Sequence, residues 1–318
     1  MKLAILDDYQ RVALTMADFS SLGDAVEIAV FERHLGSLDA VAAALGDFEI
    51  VCAMRERTPF PRALFERLPK LRLLVTTGAH NAAIDLAAAA AHGVTVCGTD
   101  SLGRATAEHT WALILAAARQ LPAEDRRMRA GGWQRTIGLG LAGRTLGVIG
   151  LGRLGAIVAE IARAFQMEVV AWSQNLGAAR ASEVGATPVT KAELLARSDF
   201  VTLHLRLSDR TRGLIGGAEL AAMKPSAWLI NTSRGPIVDE AALIDALERR
   251  VIAGAALDVY DQEPLPEAHP LRRLDNTVLS PHVGYVTAET YRVFYAGTVA
   301  AVRAWLDGAP IRLLTAPA

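Results

Sequence analysis

The sequence predicts an α/β protein made of two parallel-sheet domains, and three observations lead to this fold class. Short apolar runs alternate with helix-like segments from end to end, the strand-like runs are continuously apolar, and two such series follow one another along the 318 residues. Continuous apolar strands that alternate with helices are typical of a parallel sheet covered on both faces. A chain of this length is expected to hold about two domains.

The first series lies within residues 1–100. Its strands are predicted at residues 3–6, 26–31, 50–54, 71–76 and 94–97, and its helices at 38–45, 61–68 and 84–91. The second series begins near residue 144. Its strands are predicted at residues 145–149, 168–172, 200–205, 228–231, 254–259 and 277–279, and its helices at 154–165, 191–197 and 239–249.

A long helix is predicted between the two series, at residues 105–119, and it is almost wholly apolar at its centre. A helix that is apolar all round is buried, so we expect it in an interdomain seam or in a subunit interface. An arm rich in Arg and Gly follows at residues 121–143, and a last helix is predicted at residues 285–306.

Composition excludes several classes of function. Thirty-three basic and 34 acidic residues give a net charge of −1, which disfavours generic nucleic-acid binding. Cys52 and Cys97 make no disulfide framework, and no His/Cys pair has metal-ligand spacing. The N-terminus lacks a signal-peptide core, the apolar stretch 111–118 is too short to span a bilayer, and no basic amphipathic helix is evident. We expect a cytoplasmic protein with no metal.

A glycine-rich loop of the form G-x-G-x-x-G carries the strongest single signal. It occupies residues 150–155, follows the predicted strand 145–149, opens a helix, and precedes the strand 168–172. In this context Gly150 allows a tight turn, Gly152 lets the backbone approach a pyrophosphate, and Gly155 lets the helix pack on the sheet. The helix N-terminus supplies unpaired N–H groups for phosphate. The segment therefore predicts a dinucleotide site.

The acidic residue that usually binds the adenosine ribose is missing from this site. It is expected about 20 positions after the glycines, where Ser173 stands instead. Without a carboxylate to repel a 2′-phosphate, Ser173 and Asn175 could hydrogen-bond one, and Arg206 could lie over the same pocket. NADP is therefore plausible, while Ser173 bonding only a ribose hydroxyl would leave NAD as the cofactor.

Three later segments combine polar and reactive side chains just after predicted strands. They read N-T-S-R-G-P at 231–236, L-D-V-Y-D-Q-E-P at 257–264 and L-S-P-H-V-G-Y at 279–285. Together with the glycine loop, and in this order, they resemble the D-isomer-specific 2-hydroxyacid dehydrogenases over nearly the whole chain. The resemblance implies a nucleotide domain, residues 101–284, inserted into a flavodoxin-like substrate domain formed by residues 1–100 and 285–318.

By this resemblance Arg234, Glu263 and His282 form the catalytic triplet. Reduction of a 2-oxo acid needs a hydride from the nicotinamide and a proton for the developing alkoxide, and an imidazolium can supply the proton near neutral pH. Glu263 would favour the charged form of His282. Arg234 offers a planar fork for the substrate carboxylate. Glu263 also argues against formate dehydrogenase, where Gln is usual.

The resemblance also implies further contacts. On the cofactor side they are Arg153, Leu154, Leu205, Arg206, Thr232, Ser233, Asp258, Gly284 and Thr106, with Asp258 holding the nicotinamide carboxamide. The substrate carboxylate would be held by Arg234 and by backbone N–H groups of a loop that includes Thr77, Gly78, Ala79 and His80. His80 stands where glycine is usual, so the substrate pocket is expected to differ from that of the relatives. A second departure is Arg206, which stands where many relatives have proline.

The resemblance predicts an NAD(P)-dependent D-2-hydroxyacid dehydrogenase that works as a 2-oxoacid reductase, for example on glyoxylate or hydroxypyruvate. It also implies a homodimer that uses residues 105–119 and the following arm. Two alternatives remain open: a short form of D-3-phosphoglycerate dehydrogenase, and a nicotinamide-sensing module of the transcriptional corepressor kind that performs no chemistry.

Overall fold

The computed structural model describes residues 1–316 and shows two parallel sheets, which confirms the predicted fold class. The chain divides into two compact units. The first, here called the terminal unit, is Met1–Leu102 with the segment that begins at Val286; the second, the central unit, is Gly103–Tyr285.

The terminal unit contains a five-stranded sheet with the order β2-β1-β3-β4-β5, all parallel. Its strands are β1 Lys2–Ile5, β2 Glu27–Val30, β3 Ile50–Ala53, β4 Leu73–Thr76 and β5 Thr95–Cys97. Its helices are α1 Ala13–Met16, α2 Leu38–Leu45, α3 Arg62–Phe65, α4 Leu86–Ala91 and the C-terminal helix Ala288–Leu306. The central strands β3 and β4 are buried along their whole length, as a sheet covered on both faces requires.

The central unit contains a seven-stranded parallel sheet with the order β12-β11-β10-β9-β6-β7-β8. Its strands are β6 Thr145–Ile149, β7 Glu168–Trp172, β8 Thr187–Pro188, β9 Phe200–Leu203, β10 Trp228–Asn231, β11 Gly254–Leu257 and β12 Thr277–Leu279. Its helices are α5 Ala105–Ala118, α6 Leu121–Arg129, α7 Arg153–Ala164, α8 Ala178–Glu183, α9 Lys191–Arg197, α10 Gly217–Ala222 and α11 Glu240–Glu248. Sequence analysis missed only β8 among the strands, because this edge strand is two exposed residues long and ends in a proline.

Polar side chains at the N-caps explain where several helices begin. Ser37, Asp85, Asp239 and Thr287 each accept a hydrogen bond from a backbone N–H of the first helical turn, and Thr190 forms a capping box with its downstream glutamate. Each cap satisfies a donor that has no partner within the helix, typically worth about 1 kcal/mol.

Helix α5 contributes much of its apolar surface to the core of the central unit. Most of its apolar surface is buried within the central unit, where Ala107, Ile114 and Ala118 join the core that includes residues of α7. The Trp111 ring stacks on Phe165 with 4.8 Å between ring centroids, and its indole N–H donates to a carbonyl of α7. An interdomain or intersubunit seam is therefore not needed to explain why the centre of this helix is apolar.

Helix α6 was not predicted because it carries no buried residue and hence no apolar period. The short helices α1, α8 and α10 were missed for a related reason, since four to six residues are too few to show a helical period. Within residues 1–316, no helix is both long and apolar enough to cross a membrane.

Candidate active site

The side chains of His282 and Glu263 meet in the central unit. The imidazole Nδ1 lies 2.5 Å from Oε2 of Glu263, and Oε1 of that carboxylate accepts a hydrogen bond from the backbone N–H of Tyr260 at 2.9 Å. The two side chains retain 22% and 32% of their exposure, so a small molecule can reach them. A carboxylate held at Nδ1 fixes the ring and leaves Nε2 to exchange a proton.

The loop that carries His282 is held by Asp258, a residue at the end of the neighbouring strand. His282 adopts a left-handed backbone conformation with φ of +52°. The next two residues, Val283 and Gly284, donate their backbone N–H groups to the Asp258 carboxylate at 2.9 and 2.8 Å. Such a conformation persists only where the surroundings impose it.

Asp258 is ionised in spite of being 1% exposed. Burial by itself opposes the charge, but hydrogen bonds from His109, Ser280 and the Val283 backbone outweigh it and hold the pKa of Asp258 below its ordinary value. A buried anion that accepts several hydrogen bonds forms a firm anchor for the loop.

Arg234 follows β10, the strand beside β11. Its guanidinium Nη1 donates to the carbonyl of Ser233 at 2.7 Å, and its own carbonyl accepts from the Asn231 side chain at 2.9 Å. Because β10, β11 and β12 are adjacent and parallel, the loops with Arg234, Glu263 and His282 leave the same edge of the sheet. The sheet order thus explains why segments far apart in sequence gather there.

The glycine loop has the backbone geometry that the motif predicts. Gly150 has φ of +99°, and a Cβ at this position would lie 2.5 Å from the carbonyl oxygen of His204. A Cβ on Gly155 would collide with the Gly150 carbonyl, so the loop and helix α7 touch directly. By contrast, nothing lies within 4 Å of a Cβ at Gly152, the N-cap of α7. This open space before a helix N-terminus fits a dinucleotide pyrophosphate.

Helix α7 begins with Arg153 and Leu154, the two further cofactor candidates of the loop. The Arg153 guanidinium carbon lies 2.8 Å from the position that a Cβ on Gly103 would take, so a larger residue at 103 would push this cation aside.

The residues that the sequence predicts to bind the adenosine half of the cofactor flank the glycine loop. Ser173 follows β7 and Arg206 follows β9, and both strands pair with β6, which leads into the glycines. Leu205 reaches Gly150 with its side chain, while Asn175 and Arg206 are exposed. Sequence analysis missed Arg210, whose guanidinium donates to the side chain of Gln174, the residue after Ser173, at 3.2 Å.

The first turns of α5 carry Thr106, which sequence analysis assigned to the cofactor side, together with Thr110 and His109, which it did not assign. Thr110 Oγ1 lies 2.8 Å from Thr232 Oγ1, and a Cβ on Gly284 would contact the methyl group of Thr106 at 3.5 Å. His109, on the same face, contacts Ser280 and Asp258. A polar i, i+3, i+4 stripe on an otherwise apolar helix was the signal that could have found His109 and Thr110 beside Thr106.

The predicted substrate loop belongs to the terminal unit, and the structure corrects part of its assignment. The backbone N–H of Thr77 already donates to Ala53 at 3.1 Å, and that of Gly78 donates to Thr99 Oγ1 at 2.7 Å. The backbone N–H groups of Thr77 and Gly78 therefore already have hydrogen-bond acceptors within the terminal unit. The exposed residues of the loop are Ala79 and His80.

Arg55 is a cation beside this loop that sequence analysis missed. It follows β3, the neighbour of β4, and its guanidinium Nη1 donates to the carbonyl of Thr77 at 3.2 Å. The Asn81 amide donates to the Arg55 carbonyl at 2.7 Å and ties the two strand ends together. Within the described residues, no cluster of three or more His, Cys, Asp or Glu side chains could hold a metal ion.

Comparison with known proteins adds independent information. The sequence model of the D-isomer specific 2-hydroxyacid dehydrogenase family, NAD binding domain, matches residues 111–284. A glyoxylate reductase from Aeropyrum pernix is 43% identical over 237 residues, which cover 71% of each chain. A D-3-phosphoglycerate dehydrogenase from Mycobacterium bovis is 37% identical over 279 residues, which cover 87% of this chain but 52% of that protein.

A solved structure supports the same relationship. The phosphoglycerate oxidoreductase from Vibrio cholerae superposes with a TM-score of 0.93 at 37% identity and covers 97% of this chain and 100% of that one. The similarity therefore extends over both units and is not confined to the glycine loop.

Proposed function

Because the chain belongs to the family of D-isomer-specific 2-hydroxyacid dehydrogenases, we propose that it reduces a small 2-oxo acid with His282 as the general acid. The protein is an oxidoreductase that acts on the CH–OH group of 2-hydroxy acids with a nicotinamide cofactor. The observation that carries the catalytic assignment is the 2.5 Å contact between His282 and Glu263. A glyoxylate reductase among the relatives favours small substrates such as glyoxylate and hydroxypyruvate.

His282 gives its Nε2 proton to the alkoxide that forms when the carbonyl carbon is reduced. Glu263 bonds Nδ1 and stabilises the imidazolium, which is the form that can donate. The Tyr260 N–H in turn holds the Glu263 carboxylate in place. In the reverse direction the neutral imidazole takes the hydroxyl proton of the 2-hydroxy acid, so the same pair serves oxidation.

Arg234 binds the substrate carboxylate and polarises its carbonyl. A guanidinium presents two parallel N–H groups that match the two oxygens of a carboxylate, and charge-assisted hydrogen bonds of this kind are worth about 1.5–3 kcal/mol each. Considered by itself, the terminal unit offers the backbone N–H groups of Ala79 and His80 and the guanidinium of Arg55 as candidates for binding a carboxylate.

We assign the central unit as the nucleotide-binding domain, whose glycine loop would hold the cofactor, and the terminal unit as the substrate domain. A reduced nicotinamide would supply the hydride. The N-terminal backbone N–H groups of α7 and the Arg153 guanidinium would bind the pyrophosphate, and Thr232, Asp258 and Gly284 would contact the nicotinamide half.

We further propose that the site accepts NADP(H). Ser173 replaces the carboxylate that would repel a 2′-phosphate, and the exposed guanidinium of Arg206 follows the strand on the other side of the glycine loop. Arg210, whose guanidinium bonds the Gln174 side chain, adds a second cation near the end of β7.

Steady-state kinetics test these proposals together. The purified chain is assayed with NADH and with NADPH against glyoxylate, hydroxypyruvate, pyruvate and phenylpyruvate. We expect turnover with at least one 2-oxo acid and a kcat/KM for NADPH equal to or above that for NADH. Strong preference for NADH would refute the phosphate argument, and tight cofactor binding without turnover of any acid would support the sensing module instead.

A homodimer and a cytoplasmic location complete the proposal. Leu121, Met128, Trp133 and Ile137 expose between 57% and 95% of their surface on the arm that follows α5, which is typical of an association surface. The two cysteines are buried, and burial raises the pKa of both thiols, so their chemistry fits a reducing compartment without requiring it.

A further inference from the structure

Helix α5 presents an imidazole to the loop that carries His282. His109 Nε2 lies 2.9 Å from Ser280 Oγ and 3.2 Å from Asp258 Oδ1, and Ser280 Oγ donates to the same Oδ1 at 2.6 Å. The three side chains form a closed triangle of contacts that joins α5 to the ends of β11 and β12.

The direction of these hydrogen bonds follows from the groups themselves. The Asp258 carboxylate only accepts, and the Ser280 hydroxyl spends its single proton on it. His109 must therefore carry a hydrogen on Nε2, which it gives to the serine oxygen, to the carboxylate, or to both. Both the neutral and the charged form of the His109 ring can donate from Nε2. The triangle therefore requires a hydrogen-bond donor at this position and not a positive charge.

The triangle acts on the loop through Asp258. The carboxylate oxygen that accepts from Ser280 also accepts the Val283 N–H, and its other oxygen accepts the Gly284 N–H. These amides immediately follow His282, whose left-handed backbone must be imposed by its surroundings. Rotation of the Asp258 carboxylate would release both amides and let the His282 ring move away from Glu263.

We propose that His109 is a positioning residue for the reaction: by donating from Nε2 it fixes Ser280 and Asp258, and thereby holds the His282 ring against Glu263. This inference rests on the proposed function, because it assumes that His282 is the general acid. It assigns no proton transfer to His109 itself.

Two substitutions at position 109 separate donation from mere packing. His109→Gln keeps a nitrogen donor at nearly the same reach, whereas His109→Leu keeps the bulk and removes the donor. We expect His109→Leu to lower kcat at least 10-fold with the thermal unfolding midpoint little changed, and His109→Gln to stay within about 3-fold of the unmodified enzyme. Wild-type kcat in the leucine variant, or an equal loss in both variants, would overturn the proposal.

Ser280→Ala offers a second variant should the leucine substitution prevent folding. It removes the bridging hydroxyl with little change in volume and is expected to lower kcat in the same direction. His92→Leu is the matched control. The His92 ring also forms a hydrogen bond, in its case with the Ala88 carbonyl, but His92 lies in the terminal unit at the end of α4. That control is expected to leave kcat unchanged.

The ring resonances of His282 in NMR spectra of the full chain make the test independent of turnover. They are assigned by comparison with His282→Asn, and are expected to shift in His109→Leu and to stay in place in His109→Gln. If they shift while the unmodified chain reduces no 2-oxo acid, the positioning role stands and the proposed function fails. If the enzyme turns over and His109→Leu leaves the resonances unchanged, the positioning role is wrong.

Discussion

At the residue scale, a hydrogen-bonded imidazole and carboxylate account for the proposed chemistry. His282 and Glu263 are 19 positions apart in sequence, and each sits in a loop after a different strand. Either residue alone would be an ordinary polar side chain. Their contact fixes the imidazole through Nδ1 and leaves Nε2 available for the proton transfer that we propose.

Removing the imidazole tests its role directly. His282→Ala is expected to lower kcat at least 100-fold, since loss of a positioned general acid typically costs two to four orders of magnitude. Reduced cofactor should still bind, as measured by quenching of protein fluorescence. Near-normal turnover would mean that another group protonates the alkoxide.

The guanidinium of Arg234 gives a second prediction. Arg234→Lys keeps the charge but cannot form two parallel N–H bonds, so KM for the 2-oxo acid should rise and kcat should fall together. Initial-rate kinetics over a range of substrate concentrations measure both. Unchanged constants would indicate that backbone N–H groups alone hold the carboxylate.

His204 links a single residue to the pH dependence of stability. Burial lowers its pKa from the ordinary 6.5 to about 4, so the folded protein keeps this ring neutral while the unfolded chain protonates it. The free energy of unfolding is therefore not reduced by this histidine above pH 6.5. As the pH falls from 6.5 towards 4, protonation of the unfolded chain lowers the free energy of unfolding by at most about 1.4 kcal/mol per pH unit.

Urea denaturation at several pH values between 7.5 and 4.5 checks this prediction. Other groups titrate in the same range, so the quantity to compare is the difference in unfolding free energy between the unmodified chain and His204→Gln. That difference should change with pH in the stated direction; a constant difference would show that the histidine is not held neutral.

At the scale of elements, the strand–loop–helix unit β6–α7 combines two kinds of glycine. Gly155 lets the helix touch the loop, whereas Gly152 faces open space. Gly155 therefore serves the packing of the protein, whereas Gly152 leaves the open space in which we propose that the cofactor binds, although the motif does not distinguish the two glycines.

Alanine substitutions at these two positions should separate the roles. Gly155→Ala is expected to destabilise the fold by roughly 1–3 kcal/mol, because the added methyl group overpacks the contact with the Gly150 carbonyl. Gly152→Ala should leave stability unchanged within about 0.5 kcal/mol and raise KM for the nucleotide at least 10-fold. Thermal unfolding and kinetics measure the two effects, with Gly177→Ala, also an uncrowded N-cap, as the control. Loss of stability in Gly152→Ala together with a raised KM in Gly155→Ala would contradict these separate roles.

The order of strands explains how the elements build the site. Strands β10, β11 and β12 are neighbours, so their following loops bring Arg234, Glu263 and His282 to one edge of the sheet. Helix α5 then contacts the same loops from its first turns through His109 and Thr110. The loops of the site thus start from adjacent strands and are contacted by a helix, and this support from regular elements helps to hold their side chains in fixed positions.

At the scale of the whole molecule, the arm after α5 exposes several large apolar side chains. Trp133 exposes 69% of its surface and Ile137 exposes 95%. A groove of about 420 Å³ lies nearby in the same unit and is lined in part by Leu115, Leu139 and Phe165. Exposed apolar side chains and a partly apolar groove suit the interface that we propose between two copies of the chain.

Charge placed on the arm should break this association. The double substitution Trp133→Asp with Ile137→Asp is expected to convert a dimer into a monomer in analytical ultracentrifugation at micromolar concentration. Leu14→Asp is the matched control, since Leu14 is 53% exposed but lies in the terminal unit. A monomeric unmodified chain, or a double variant that remains dimeric, would contradict the homodimer proposal.

The sequence by itself predicted the two parallel sheets and eleven of the twelve strands found within residues 1–316, because apolar runs are local patterns. The catalytic candidates came from the family resemblance that the strand-end motifs carry. The role of α5, the engaged amides of Thr77 and Gly78, and the contacts of His109, Arg55 and Arg210 were decided only by tertiary structure. These features depend on which strand lies beside which and on where each backbone donor finds its acceptor. Such pairings join residues far apart in the chain, so no local period or spacing encodes them.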